Sequence, residues 1–332
     1  MKIGLIAFTA KGRAYLQRVA QALTFAEPRI YDKTSTDPKT WLESEFDNCE
    51  ALIFVGATGI AVRLLAPLLK SKDRDPAVLV LDEAGRFVIP LVSGHIGGAN
   101  ALARELAAKL DLTAVITTAT DLNNVWAVDV WATQQGCAIE NIATIKHVSA
   151  ALLNGATVGF CSDFPLAGRL PQGLAAAQNG VLGVCVSLNA ALKPFDVTLN
   201  VVPKIVTLGV GCRKNTSFED LESFALQTLA LHHLSPKALQ NLATIELKRD
   251  EPCLRAFAEK YNLGFKVFTA DELKTAPGSF SGSAFVKSVT GVGNVCERAA
   301  VLAAQGQPLF GKTAHNGITL AAAASVWQCA FD

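Results

Sequence analysis

The segment VSGHIGGAN, residues 92–100, places one histidine among three glycines. An imidazole with an ordinary pKa can take a proton from water at neutral pH, so His95 is a candidate general base. The backbone amides of Gly97 and Gly98, at the start of an expected helix, could stabilise a developing oxyanion. These residues predict hydrolytic chemistry, with a histidine that only holds the turn as the alternative.

A second titratable residue, Asp121, ends the stretch TAVITTATD, residues 113–121, which we interpret as a strand. A carboxylate at a strand end could orient a base or polarise a water molecule, so we predict that His95 and Asp121 are catalytic. A helix N-cap is the alternative role for Asp121.

Basic residues beside glycine turns and strand ends could bind the carboxylates of a substrate. Solvated surface charge is the alternative for each of them, and Cys212 can be a small buried residue instead of a nucleophile. Glu251 can equally be a first-turn helix acid, and His315 is a turn residue or a ligand contact. The residues predicted to contact substrate are Thr58, Gly59, Arg63, Ser93, Gly97, Gly98, Asn100, Gly211, Cys212, Arg213, Lys248 and Glu251.

The composition excludes several classes of protein. Half of the 332 residues are hydrophobic, 18% are charged and the formal net charge is +1, which argues against disorder, a nucleic-acid surface and a polybasic membrane patch. The eight cysteines include no Cys-x-x-Cys pair, and no histidines and acids show metal-ligand spacing. Because the sequence also has no signal peptide and no long apolar run, we predict a cytoplasmic protein.

The stretch GVGNVC, residues 291–296, approaches the dinucleotide-binding fingerprint. Cys296 stands where the third glycine or alanine belongs, and the acidic residue expected about 20 positions later is missing. A tight turn between a strand and a helix is therefore the favoured interpretation, and a nucleotide-binding α/β protein remains an alternative.

The elements that must position these residues are strands alternating with helices, which predicts two α/β domains with mostly parallel sheets. A hairpin is expected around residues 82–86. We divide the chain into an N-terminal α/β domain over residues 1–130, a smaller middle segment over 131–204 and a C-terminal α/β domain over 205–332. Strand ends carry turns at 56–59, 93–98, 209–212 and 291–294, and ligands of open parallel sheets bind at the carboxyl ends of strands.

Several of these stretches together resemble the CbiG family, the cobalt-precorrin-5A hydrolases of anaerobic cobalamin biosynthesis. In the first half the resemblance rests on FVGATGIAVR, GRFVIPLVSGHIGGAN and TTATD. In the second half it rests on LGVGCRKNTSFEDL, LATIELKRDEPCL and GVGNVCERAA. The similar segments follow the same order along most of the chain, and the similarity is weakest between about residues 135 and 200.

The resemblance implies an enzyme that opens the δ-lactone of cobalt-precorrin-5A and expels a carbon with its methyl group as acetaldehyde. It also implies that cobalt travels with the substrate, so the protein needs no cofactor or metal ligands of its own. The partners it implies are this small molecule and neighbouring enzymes of the pathway, with no nucleic acid and no membrane. A non-catalytic protein that binds and shields a tetrapyrrole is the alternative from another class.

Overall fold

A computed structural model describes residues 1–71 and 74–331. The chain divides into two compact units, residues 1–130 and 131–332. The predicted α/β class with mostly parallel sheets is confirmed, while the division into three domains stays a prediction.

The elements of the first unit alternate between strand and helix, and the last helix, α6, crosses the division between the units. They are β1 Lys2–Ala7, α1 Ala10–Ala22, β2 Glu27–Ile30, α2 Pro38–Glu45, β3 Ala51–Val55, α3 Thr58–Leu65, β4 Ala77–Leu81, β5 Phe87–Val92, α4 Ala99–Leu110, β6 Thr113–Ala114, α5 Ala119–Leu122 and α6 Val128–Gln134.

The sheet of the first unit has the strand order β2-β1-β3-β4-β5-β6. Successive side chains of a strand point to opposite faces, so Ile53 packs with helices α1 and α4 while Phe54 packs with α2 and α3. Because helices cover both faces, β3 can be apolar at every position, and all five of its residues are buried.

Strand β5 reverses the direction of this sheet. The predicted hairpin is present, with β4 and β5 antiparallel, whereas β1, β3 and β4 are mutually parallel and β6 is parallel to β5. Val92, the last residue of β5, lies opposite Val78 near the start of β4. The carboxyl ends of β5 and β6 therefore point to the edge of the sheet that carries the amino ends of β1, β3 and β4.

The second unit contains the following strands and helices, together with short 3₁₀ turns at Ile142–Thr144, Pro236–Ala238 and Glu246–Lys248. They are β7 Cys137–Ile139, α7 Ile145–Leu153, β8 Val158–Ser162, β9 Leu166–Ala167, β10 Leu174–Ala176, β11 Gly180–Val186, β12 Phe195–Pro203, β13 Val206–Gly211, α8 Phe218–Leu231, β14 Leu239–Ile245, α9 Pro252–Lys260, β15 Gly264–Phe268, α10 Ala270–Lys274, α11 Ala284–Thr290, α12 Cys296–Ala304, β16 Gln307–His315, β17 Ile318–Ala324 and β18 Cys329–Ala330.

Two five-stranded sheets organise this unit, in the orders β10-β8-β11-β12-β7 and β15-β14-β13-β17-β16. In the second of these sheets, β13, β14 and β15 are parallel, and β16 and β17 form an antiparallel hairpin beside β13. Helices α8 and α9 pack in one core with β13, and α12 packs against the sheet in other clusters. Strand β13 therefore ends at an edge that also receives the turn of the β16–β17 hairpin.

Two local predictions from the sequence were wrong. In the TAVITTATD stretch only Thr113–Ala114 forms a strand, and Asp121 lies on the short helix α5. The GVGN turn follows helix α11, not a strand, so it lacks the strand that a dinucleotide fingerprint requires.

None of the helices found in residues 1–71 and 74–331 has the length and apolar character needed to cross a membrane.

Candidate active site

His95 lies in the loop between β5 and α4, at the carboxyl ends of β5 and β6. Asp121 approaches it from α5, which follows β6, and Asp129 approaches it from the first turn of α6. These three side chains thus come from separate connections that end at one edge of the first sheet. The structure brings together the two residues that the sequence predicted to be catalytic.

Both ring nitrogens of His95 face carboxylates. Nδ1 lies 3.2 Å from Oδ2 of Asp129, and Nε2 lies 3.0 Å from Oδ2 of Asp121. The Thr120 hydroxyl is a further neighbour, 3.2 Å from Nε2. The His95 and Asp121 side chains retain 18% of their exposure and that of Asp129 only 7%, so the cluster is shielded yet open at His95.

The charges in this cluster stabilise one another. The hydrogen bond with Asp129 raises the pKa of His95, and burial opposes it without cancelling it. Burial tends to raise the pKa of Asp129, but the hydrogen bond to His95 outweighs that effect and the pKa is lowered. The arrangement therefore favours an imidazolium between two carboxylates.

Asp121 has further partners on α4 and in the preceding loop. The Asn100 amide donates to its Oδ2 at 3.0 Å, and the Thr118 hydroxyl and the Arg104 guanidinium donate to it as well. The hydrogen bonds from Thr118, Arg104 and His95 outweigh burial and hold the pKa of Asp121 far below its usual range. Asn100, predicted to contact substrate, thus positions Asp121 in this structure.

The general-base role that we inferred for His95 from the sequence does not fit this geometry. An imidazolium whose two N–H groups donate to carboxylates has no lone pair that could accept a proton. It can instead donate a proton or stabilise negative charge, so the geometry favours a general-acid role for His95.

The glycine loop is held by its own backbone. The Gly98 amide donates to the carbonyl of His95, and the amides of Ala99 and Asn100 donate to those of Ser93 and Gly94. The Gly98 N–H is therefore already occupied, contrary to the oxyanion role expected for it, and the Gly97 amide is not among these donors. Gly98 has φ of 83°, a left-handed conformation that favours glycine.

Ser93 turns the chain out of β5. Its φ is 55°, and its hydroxyl donates to the Asp75 carbonyl at 2.8 Å. A methyl group added to Gly97 would clash with the Ser93 side chain, so the two residues must be in close contact. Substrate contact by Ser93 and Gly97 stays a prediction, but both have a structural role here.

Thr58, Gly59 and Arg63 lie away from His95. They belong to α3, which starts after the carboxyl end of β3, whereas the His95 loop follows β5 at the opposite edge of the sheet. The sequence placed both turns at carboxyl ends of strands, which is correct. It did not reveal that the hairpin reverses β5, so the two turns cannot form one site.

In the second unit, four predicted residues line one cavity of about 530 Å³: Gly211, Cys212, Arg213 and Lys248. Glu251 lies next to it and is buried, with its carboxylate accepting from Lys248 Nζ and from the Asn215 amide, each at 2.8 Å. These bonds outweigh burial and lower the pKa of Glu251. Glu251 thus positions Lys248 and the loop after β13.

Cys212 is unsuited to act as a nucleophile, since burial raises its pKa to about 12 and keeps it a neutral thiol. His315 ends β16, where its exposed ring packs against Phe224. Among the described residues, no group of three or more His, Cys, Asp or Glu is arranged to hold a metal ion. The absence of a protein-bound cofactor stays a prediction.

Sequence reasoning missed Asp129, Arg104, Thr118 and Thr120. One signal was available for Asp129, because a lone acid in the apolar stretch VWAVDVW is costly to bury unless it is paired. Arg104 looked like any charge on the exposed side of a helix, and no pattern linked it to Asp121.

Known protein families match most of the chain. Residues 40–121 match the N-terminal region of cobalamin synthesis protein G, residues 126–203 its central region and residues 206–323 its C-terminus. The cobalt-precorrin-5A hydrolase of Salmonella typhimurium is 40% identical over 287 residues, which cover 83% of this chain and 82% of the relative. The chain belongs to the CbiG family.

A second CbiG-family relative supports this assignment. The cobalt-precorrin-5A hydrolase of Priestia megaterium is 34% identical over 279 residues, 79% of this chain and 74% of the relative. A crystal structure of a cobalamin biosynthesis protein G homolog from Sulfolobus solfataricus covers 97% of both chains at 22% identity, with a TM-score of 0.44. That superposition is too loose for a comparison of sites.

Proposed function

We propose that this CbiG-family chain hydrolyses the lactone of cobalt-precorrin-5A with release of acetaldehyde, to give cobalt-precorrin-5B. The observation that carries the proposal is the 40% identity, over 83% of the chain, to a relative named for this hydrolysis. An oriented, charged histidine in a partly open site supports it, since binding alone does not require one. A tetrapyrrole-shielding protein or a nucleotide-binding protein is not favoured.

In the proposed first step His95 acts as an acid. Water adds to the lactone carbonyl and releases one proton to bulk solvent, the bond from the acyl carbon to the ring oxygen breaks, and His95 donates a proton to the departing oxygen. Asp129 keeps the imidazolium charged and oriented from Nδ1, and the Nε2 proton, held by Asp121 at 3.0 Å, passes to the substrate oxygen when that oxygen displaces the Asp121 carboxylate. The products of this step are a carboxylic acid and an alcohol.

The second step uses the neutral imidazole that the first step leaves behind. His95 takes the proton of the new hydroxyl group, the oxygen forms the carbonyl of acetaldehyde, and the adjacent carbon–carbon bond breaks with its electron pair passing to the macrocycle. One histidine thereby donates and regains one proton. The raised pKa of His95 suits the first half of this cycle, and loss of the donated proton suits the second.

The remaining assignments follow from the proposed reaction. Cobalt enters as part of the substrate, so the protein would need no metal of its own. Enzymes that make and consume these unstable macrocycles are the partners we propose, and a cytoplasmic location is consistent with such a pathway. None of these three assignments, the metal, the partners and the location, depends on the residues around His95.

The direct test is to incubate purified protein with cobalt-precorrin-5A, follow the macrocycle by mass spectrometry and trap acetaldehyde enzymatically. We expect both products from the unaltered protein and from His147→Ala, which removes an exposed histidine of α7. His95→Ala should slow turnover by about 10²- to 10⁴-fold, the usual contribution of a positioned acid–base group. Unchanged macrocycle mass with unaltered protein would refute the function, and full activity of His95→Ala would refute the mechanism.

A further inference from the structure

The cavity of about 530 Å³ in the second unit lies at one edge of the C-terminal sheet. Strand β13 ends there at Gly211, and the β16–β17 hairpin closes at the same edge, because Gly211 pairs with Thr319 at the start of β17. The 3₁₀ turn after β14 adds Leu247 and Lys248, and helix α11 with the following turn supplies the other wall. Loops from four separate connections thus line one cavity, as is usual at the carboxyl ends of parallel strands.

The charged side chains of this cavity are all cations: Arg213, Lys214, Lys248 and Lys312. Lys248 is neutralised by Glu251, which accepts from its Nζ at 2.8 Å. Arg213, Lys214 and Lys312 form no ion pair within residues 1–71 and 74–331. Three cations without a direct ion pair around one cavity fit a ligand that carries several anionic groups.

The apolar part of the lining is unusually exposed. Phe285 and Val289, four residues apart on α11, keep 76% and 61% of their exposure, and Leu247, which also lines the cavity, keeps 63%. Side chains at positions i and i+4 share one face of a helix, so Phe285 and Val289 form a continuous apolar surface. An apolar wall beside cations fits a ligand with a wide apolar face and a charged periphery.

We propose that this cavity binds the macrocycle of a tetrapyrrole polycarboxylate, with its face against Phe285 and Val289 and its peripheral carboxylates on Arg213, Lys214 and Lys312. The identification of the ligand class rests on the proposed function, and the cavity lining rests on the structure alone. Lys248, already paired with Glu251, contributes less than the other three cations. Phe285 can stack on the conjugated face.

Binding of uroporphyrin III, a stable tetrapyrrole with eight carboxylates, to the full-length protein tests this proposal without any catalysis. Its fluorescence anisotropy gives the dissociation constant over a range of salt concentrations. We expect saturable binding that the triple variant R213Q/K214Q/K312Q weakens by about 100-fold or more, since each charge-assisted contact is worth roughly tenfold. The salt dependence of binding should become shallower in this variant.

The matched control removes three exposed lysines of the same unit that lie outside the cavity, in the variant K146Q/K193Q/K266Q. It has the same change in net charge, so it reports any effect of the overall field, and we expect its affinity to stay within about threefold of the unaltered protein. Phe285→Ser should weaken binding and Phe285→Trp should retain it, because only the latter keeps an aromatic face.

Equal loss of affinity in both triple variants, unchanged affinity in R213Q/K214Q/K312Q, or no saturable binding by the unaltered protein would each overturn the proposal. The proposed function is judged separately by acetaldehyde release from cobalt-precorrin-5A. Turnover with an unchanged KM in R213Q/K214Q/K312Q would reject the cavity and keep the hydrolase. Charge-dependent porphyrin binding without any turnover by the unaltered protein would reject the hydrolase and keep the cavity.

Discussion

At the scale of residues, the positive charge of His95 lies between the carboxylates of Asp121 and Asp129. Without it, two negative charges would lie close together where solvent screens them little. Replacing His95 with alanine leaves Asp129 buried without this cation, and breaking such a pair costs about 3 kcal/mol. We therefore expect His95→Ala to lower the free energy of unfolding by about that amount in urea denaturation. His147→Ala, at an exposed position, should change it by less than about 0.5 kcal/mol.

A second substitution separates the lost charge from a lost contact. Asn in place of Asp129 removes the buried carboxylate that loses its His95 partner in His95→Ala, so the double variant H95A/D129N should be more stable than His95→Ala alone. If the double variant is less stable by the sum of the two single changes, the residues do not interact and the charge argument fails.

The same cluster predicts how stability depends on pH. The pKa of His95 is raised above its ordinary 6.5, so its contribution is complete below that value and is lost as the pH rises through the folded-state pKa. The pKa of Asp129 is lowered from 3.8, so its contribution is complete above that value and is lost as the pH falls through its folded-state pKa. The stability difference between the unaltered protein and H95A should therefore be greatest between pH 3.8 and 6.5.

Urea denaturation at a series of pH values measures this profile. A stability difference that keeps growing above the ordinary pKa of histidine would show that the neutral ring, not the imidazolium, is the form that the fold stabilises. That outcome would restore the general-base role inferred from the sequence.

The sequence was informative about residue identity and less so about protonation. A histidine in a glycine loop and the acid that ends TTATD could be recognised as candidates, because loops at strand ends carry function. The pairing of Asp129 with Nδ1 of His95 could not be recognised, since Asp129 approaches from α6, 34 residues further along the chain. A pKa depends on such non-local neighbours, so local sequence gives no access to it.

At the scale of elements, the reversal of β5 decides which turns can cooperate. Alternating apolar strands and turn residues predicted the hairpin correctly, and the strands and helices around it were largely as expected. The sequence did not show that an antiparallel β5 carries its loop to the other edge of the sheet, because strand direction follows from pairing. As a result, the sequence analysis assigned Arg63 and His95 to one predicted site, although they lie at opposite edges of the first sheet.

The tight loop after β5 gives a prediction for glycine substitutions. A methyl group at Gly97 would collide with Ser93, so Gly97→Ala should lower the free energy of unfolding by about 1 to 3 kcal/mol, the usual cost of overpacking. Gly59, in the first turn of α3, has open space around its Cα and an ordinary φ. Gly59→Ala should raise stability by up to about 1 kcal/mol, because alanine favours the helix.

Urea midpoints of the two variants measure this contrast, and each is the control for the other, since both add one methyl group to the same unit. Equal effects of the two substitutions would mean that the loop can relax around the added methyl. The close contact between Gly97 and Ser93 would then be unnecessary for the fold.

At the scale of the whole molecule, the chain consists of two units that each contain their own buried clusters. Helix α6 crosses the division between them, with Asp129 bonded to His95 in the first unit and the Trp131 indole donating to the Ala330 carbonyl in the second. Composition and alternation predicted separate α/β cores. Only the contacts of α6 show that a cut at residue 130 would divide a helix that both units use.

Two overlapping fragments that both keep α6, residues 1–134 and 127–332, test this organisation. Each fragment retains complete sheets and their covering helices, so each should unfold cooperatively in urea with the circular dichroism of an α/β protein. Fragment 1–127 lacks Asp129 and should be less stable than 1–134, with a smaller pH dependence around the ordinary pKa of histidine.

Fragment 127–332 contains every cavity residue and should bind uroporphyrin III, whereas 1–134 should not. If neither fragment folds, the buried clusters of one unit do not suffice without the other. Binding by 1–134 instead would assign the macrocycle to the unit that carries His95.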